Sequence, residues 1–190
     1  VGPGRVHITG ASGAGVTTLG RALAQHYAIP HFDADDFYWM PTAETFTDKR
    51  PEAERVSLLQ ALIGSRPDVV LSGSIAGWGN ALIAEIDAVI FVRTAQAMRL
   101  TRLRDREVLR YGEEAVQEDG PRYLQMESFL RWAERYDDPE FTGRSLTGHR
   151  AWLAGLGCTV IEVDGSRSLE ALTRQVTRSL DSLAEAAQPR

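Results

Sequence analysis

The feature that most limits what this chain can fold into lies near its start, where "VHITG" runs into "ASGAGVTTLGRAL". A β-branched apolar run ends at Gly10, glycines recur at Gly13 and Gly15, and apolar residues then follow at Val16, Leu19, Leu23 and Tyr27. Those last spacings of three and four mark a helical face, so a strand passes through a short glycine turn directly into a helix. Such a turn aims several backbone N–H groups and the positive end of the helix dipole at one point, which is a place for an anion. Ala11, Ser12, Gly13 and Ala14 are small enough to let the backbone wrap phosphates closely, and Thr17, followed by Thr18, stands where a hydroxyl can ligate Mg²⁺.

Gly10, Gly15 and Thr17 match the spacing G-x-x-x-x-G-K-[ST], but the lysine position holds Val16. That lysine normally reaches the β- and γ-phosphates as a point charge, and a valine supplies neither charge nor donor. The chain is poor in replacements of the same kind: of its 21 basic residues only Lys49 is a lysine. Arginines are therefore expected to compensate. Arg99, Arg102 and Arg106 are spaced by three and four in "RLTRLRDREVLRYG", share one helical face, and are expected to converge on an anion. A solvated basic face is the alternative reading of the same pattern.

The rest of the chain alternates β-branched apolar runs with helical periods, which indicates an α/β domain with a mostly parallel sheet covered on both faces by helices. "DVVLSGS" (68–74) and "DAVIFV" (87–92) are nearly all apolar and are expected at the centre of the sheet. A short strand leads "IPHFDADDFYW" into an acidic, aromatic loop. "GCTVIEVDG" supplies a last strand, expected to be buried together with Cys158. Pro51 opens one helix, Thr94 is expected to cap another that runs to about Arg110, and Ser168 caps a final helix. The pattern breaks at Gly112, which suggests a single domain over 1–190 with a lid or helical insertion at approximately 104–148.

Composition removes other classes. A formal net charge of −5 without a basic run argues against nucleic acid, and no apolar run approaches the ~20 residues that a membrane helix needs. A single cysteine cannot form an internal disulfide, which suits a reducing cytoplasm.

Taken together, the arrangement resembles the P-loop kinases of the adenylate kinase and shikimate kinase group, most of all a lysine-less branch with "GASGxGxTT" loops. The likeness rests on the glycine loop, "DADD" after the second strand, the arginine-rich segment after "AVIFV", and "VDGSRS" after the last strand. It implies a three-layer sandwich on a five-stranded sheet, and a phosphotransferase that uses ATP and Mg²⁺ on a small molecule or nucleotide. By the resemblance Asp33 stands near the metal and the attacking hydroxyl and Asp35 grips the acceptor, while Asp36 is expected to cap the next element. Gly73 and Ser74 border the acceptor site and let it approach, Trp78 walls it, and Arg144 or Lys49 reaches an anionic group there. Arg167 is the candidate to stack on the adenine.

Two alternatives stay open at this point. One is a catalytically weak nucleotide-binding protein, suggested by Val16. The other, more remote, is an NAD(P)-dependent dehydrogenase, since "TGASGAGV" looks like a dinucleotide turn, though its glycines fall one place early and no tyrosine stands four residues before Lys49.

Overall fold

In the computed structural model, which describes residues 2–43 and 45–186, the apolar runs become five strands of one parallel sheet. They are β1 (Arg5–Gly10), β2 (His31–Asp33), β3 (Val69–Ser72), β4 (Ala88–Arg93) and β5 (Thr159–Asp164), in the order β2-β3-β1-β4-β5. The register sets Ile8 and Asp33 on either side of Ser72 and Gly10 beside Val92, so β2 and β3 end together, β1 and β4 run two to three residues further, and all four open at the same edge of the sheet. In a dinucleotide-binding sheet β1 pairs with β2, whereas here β3 lies between them, so the dehydrogenase reading fails on topology.

Because side chains alternate across a strand, each sheet face carries its own apolar set. On one face Val6 and Ile8 pack against Leu19 and Leu23 of α1 (Val16–Tyr27) and Val176 and Leu180 of α8 (Leu169–Ala186). On the other, Val69 and Leu71 meet Leu59 and Ile63 of α3 (Glu52–Gly64) and Leu82 of a 3₁₀ turn. Burying each such side chain stabilises by about 1.5–3 kcal/mol. A third cluster joins Leu103 of α4 (Gln96–Tyr111), Val116 of α5 (Glu113–Val116), and Met126 and Leu130 of α6 (Tyr123–Glu134).

Several local expectations need correction. The acidic segment after β2 is a short helix, α2 (Ala34–Tyr38), and its cap is Asp33, whose Oδ1 accepts from the Asp35 N–H at 3.1 Å; Asp36 lies inside the first turn. Thr94 is not a helix cap, since Ala95 holds that position without a side-chain bond and the Thr94 hydroxyl is used elsewhere. The last strand is an edge strand rather than a buried one. β5 pairs only with β4, most of its side chains reach solvent, and Cys158 just before it is half-buried.

One helix, α7 (Leu146–Ala154), carries no apolar period of its own and lies beyond the turn-rich "DDPEFTGRS". It begins because Ser145 Oγ accepts from the Gly148 N–H at 3.2 Å. It sets His149 edge-on to Phe91 of β4 at 5.7 Å and Trp152 edge-on to His7 of β1 at 6.1 Å. His7 donates through Nδ1 to the Leu71 carbonyl, and His149 Nδ1 shares a 2.7 Å hydrogen bond with the Tyr136 hydroxyl. Burial lowers the pKa of His7 to about 4 and, helped by the Arg144 charge, that of His149 to about 3.

Both histidines are thus neutral in the fold, whereas an unfolded histidine takes up a proton below about 6.5. Stability that is present above that value is lost as pH falls toward 4, because the unfolded chain then binds more protons. For His7 alone the loss is on the order of 3 kcal/mol, from 1.36 kcal/mol per unit. His7→Asn, which keeps a donor for Leu71, should flatten the dependence of unfolding free energy on pH between 7 and 4. Denaturant titrations with the same pH slope in both proteins would contradict this.

Candidate functional site

The glycine turn between β1 and α1 has its carbonyl groups tied down by other parts of the chain. Arg144 Nη2 donates to the Gly10 carbonyl, and the Ala14 N–H closes the turn onto the Ala11 carbonyl at 3.0 Å. The Ala14 carbonyl receives both the Thr94 hydroxyl at 3.1 Å and Arg102 Nη1 at 3.4 Å. Gly13 adopts φ 78° with Arg99 directly behind it; a Cβ there would lie 2.5 Å from the Arg99 carbonyl oxygen. Gly15, at φ 97°, is the N-cap of α1 and offers no side chain to it. The first N–H groups of α1 therefore have no intrahelical partner and no cap, which is the arrangement an anion completes. These residues fit a polyphosphate.

Beside that cradle the first turn of α1 and the ends of β2 and β3 bring three side chains to one point. Thr17 Oγ1 donates to Asp33 Oδ2 at 2.7 Å, and Ser72 Oγ donates to the same oxygen at 3.4 Å. His31 Nε2, whose pKa burial lowers, sits 2.9 Å from Ser72 Oγ. The proton of Thr17 is directed at Asp33, so its lone pairs are left for a cation. Among the described residues no group of three or more His, Cys, Asp or Glu side chains could hold a metal ion. A divalent ion at Thr17 and Asp33 would take most of its shell from water and phosphate oxygens, as Mg²⁺ prefers.

Gly73, expected to let the acceptor approach, serves the chain itself. At φ 109° its Cβ position would be 2.8 Å from Ala34 Cβ and 3.2 Å from Asp33 Oδ1, so glycine is what permits Asp33 to come this close to β3. Asp35 stands accessible at the mouth of the site. Its pKa is raised by the surrounding protein and the Asp33 charge, against the pull of Arg144 and Arg106. Trp78 donates to the Ser74 carbonyl at 2.9 Å and meets Tyr38 at 5.9 Å, with the Arg55 guanidinium over the Tyr38 ring at 4.0 Å and the Trp78 ring at 5.6 Å. Lys49 Nζ lies 5.9 Å from the Tyr38 ring centre, at the rim of the same aromatic group.

The three arginines of α4 do not converge. Arg99 is fully buried, ion-paired with Asp137 at 2.5 Å and donating to the Thr94 and Ala133 carbonyls, so it is a core residue. Arg102 spans from the Ala14 carbonyl to the Gly165 carbonyl at 3.0 Å, binding the glycine loop to the loop after β5. Arg106 pairs with Glu107 at 3.3 Å and faces the Phe129 ring at 5.6 Å. Arg167 donates to Gln175 Oε1 at 2.8 Å and lines a cleft of about 760 Å³ that also touches Ala11, Thr94, Tyr136 and Asp164. Ser72, Thr94 and Arg55 are site neighbours that the sequence reading missed. Ser72 had a visible signal in its place before Gly73 on a central strand, while Thr94 and Arg55 had none.

Comparison with known proteins agrees with the fold. No family model matches the chain. It is 40% identical over 179 residues to "Uncharacterized protein YqaC" of Bacillus subtilis (strain 168), covering 94% of this chain and 97% of that one. It is 30% identical over 116 residues to a cytidylate kinase of Methanocorpusculum labreanum, covering 55% of this chain and 64% of the relative. Among solved structures, a shikimate kinase from Acinetobacter baumannii in complex with shikimate superposes with TM-score 0.55 at 18% identity, over 97% of this chain and 96% of that one. At that identity the likeness bears on the fold, which is that of a P-loop kinase.

Gly73→Ala puts a methyl group into the space of Ala34 and Asp33 at a backbone angle that L-residues avoid. It should destabilise by on the order of 2 kcal/mol, since such conformations cost about 1–3 kcal/mol before any clash. Urea unfolding at pH 7 measures it, and a wild-type midpoint would show that α2 shifts freely away from β3.

Proposed function

The chain belongs to the family of Bacillus subtilis YqaC and has the P-loop kinase fold, and from this we propose that it binds ATP with Mg²⁺ and transfers a phosphoryl group to a small acceptor. The observation that carries the reading is the meeting of Thr17, Asp33 and Ser72 at the edge of the uncapped glycine loop. A loop that only turned the chain would have no need of a carboxylate and two hydroxyls at its mouth.

Phosphoryl transfer asks for positioning and charge neutralisation more than for covalent chemistry from the protein. The loop from Gly10 to Thr18 holds the phosphates through its N–H groups. Thr17, with Asp33 behind it, holds Mg²⁺, which when bound neutralises phosphate charge and fixes the reacting end. Asp33 orients the acceptor's hydroxyl and receives its proton if the acceptor is an alcohol. Arg102, between the glycine loop and Gly165, steadies the nucleotide, and Arg106 approaches the acceptor side near Asp35. The cleft at Thr94 and Asp164 takes the base, with Arg167 at its edge.

The acceptor lies between Asp35, Ser74 and the wall formed by Tyr38 and Trp78. A carboxylate against an aromatic face suits a polar molecule with hydroxyls, since the acid accepts their protons and the ring covers their carbon skeleton. The sequence likeness to a cytidylate kinase supports phosphotransfer, and the aromatic wall admits a base as readily as a carbocycle.

Saturating Mg·ATP at 100 times its Kd should stabilise the folded protein by about 2.7 kcal/mol, seen as a rise in the thermal midpoint. Gly15→Val, which forces a β-branched residue into φ 97°, should remove that rise while the protein remains folded. Thr17→Ala and Asp33→Asn should each lower ADP production against an acceptor panel by at least about 10²-fold, the scale of a lost transition-state contact. Full turnover in both variants would refute the roles given to them.

A further inference from the structure

We infer that the Arg144 guanidinium, brought in from the start of α7, supplies the cation that position 16 of the glycine loop lacks and binds the terminal phosphates of the nucleotide. The inference rests on the nucleotide-binding reading above. It moves Arg144 from the acceptor site to the triphosphate.

Two side chains reach Gly10. Val16 comes from α1, with Cγ1 only 3.2 Å from the point a Gly10 Cβ would occupy, and Arg144 comes from across the sheet, with Nη2 on the Gly10 carbonyl. The Arg144 charge thus stands at the residue toward which position 16 directs its own side chain. A valine there is short, and it leaves the head of the loop to the guanidinium.

The other arginines near the loop are committed. Arg99 is neutralised by Asp137, Arg102 spends two nitrogens on the Ala14 and Gly165 carbonyls, and Arg106 is paired with Glu107. Arg144 has no carboxylate in ion-pair contact among the described residues, and its Nε is buried without a hydrogen-bond partner. A buried charged donor left unsatisfied costs free energy that an incoming anion recovers. A guanidinium also suits the task, because one N–H can hold the loop carbonyl while others stay free for phosphate oxygens, in a planar fork that an ammonium does not offer.

The placement is rigid on the protein side. Arg144 immediately precedes Ser145, which is 5% exposed and caps α7, and α7 is locked to the sheet through His149 and Trp152. Burial pushes the Arg144 pKa down and the nearby Asp35 charge opposes this, so the guanidinium keeps its proton in any neutral buffer.

The test is a double-mutant cycle in ATP affinity with Mg²⁺, measured by calorimetric titration on wild type, Arg144→Ala, Val16→Lys and the double variant, each first checked for cooperative thermal unfolding. Arg144→Ala should weaken ATP binding by about 10- to 100-fold, the worth of a charge-assisted contact. Val16→Lys in the wild type should give no gain or a loss, because two cations then compete for one place. In the Arg144→Ala background the same change should restore at least about tenfold, which no purely structural role of Arg144 would allow. Unchanged ATP affinity in Arg144→Ala, or an equal effect of Val16→Lys in both backgrounds, overturns the assignment. If Arg144→Ala does not fold, Arg144→Lys takes its place: it keeps the charge and loses the fork, so ATP should bind less tightly and Val16→Lys should again help only in that background. A wild type that binds no ATP refutes the nucleotide-binding reading itself. A wild type that binds ATP without this pattern refutes only the role of Arg144.

Discussion

The capture of the glycine-loop carbonyls by side chains from distant elements is what the rest of the site depends on. A peptide group has two ends, and whichever end is hydrogen-bonded to the protein is withdrawn from a ligand. Here Arg144, Thr94 and Arg102 take the carbonyls of Gly10 and Ala14, the turn takes its own at Ala11, and α1 takes that of Gly15. The N–H groups are left facing outward from a helix start that no side chain caps. The conformation of the loop is therefore fixed by α4 and by the segment before α7 as much as by the loop itself.

The strand ends beside the loop are placed by their own pairing. Parallel pairing of β2 with β3 and β3 with β1 brings Asp33 and Ser72 beside the loop, and Gly73 lets the start of α2 close onto β3. Asp33 performs several tasks with two oxygens: one caps α2 and the other receives Thr17 and Ser72. A change there would be felt in α2 as well as at Thr17 and Ser72. The buried histidines at the contact between α7 and the sheet carry a related consequence, since the helix that follows Arg144 packs through groups that must stay neutral.

Periodicity was a good guide wherever one residue's environment followed from its neighbours in sequence. The strand, glycine turn and helix at the start, the two apolar central strands and the amphipathic last helix with its Ser168 cap all read correctly for that reason. Thr17 and Asp33, each singled out as a metal-side residue because one follows the glycine turn and the other ends the second strand, do lie within hydrogen-bond distance of each other. The arginines of α4 were not legible. A helical face defines which residues point the same way, but Arg99 lies under Tyr136 and against Asp137, and only the packing of the segment after α6 puts those groups there.

By itself the sequence determined the α/β class, the parallel sheet, the position of the glycine turn between the first strand and helix, and the absence of a lysine there, since all four follow from local pattern and side-chain chemistry. The tertiary structure decided which cation stands at that turn, which glycine is required by the chain's own packing, and that β5 is an edge. Each of these depends on contacts between segments up to 134 positions apart, such as Arg144 with Gly10, and no local pattern encodes a contact of that span.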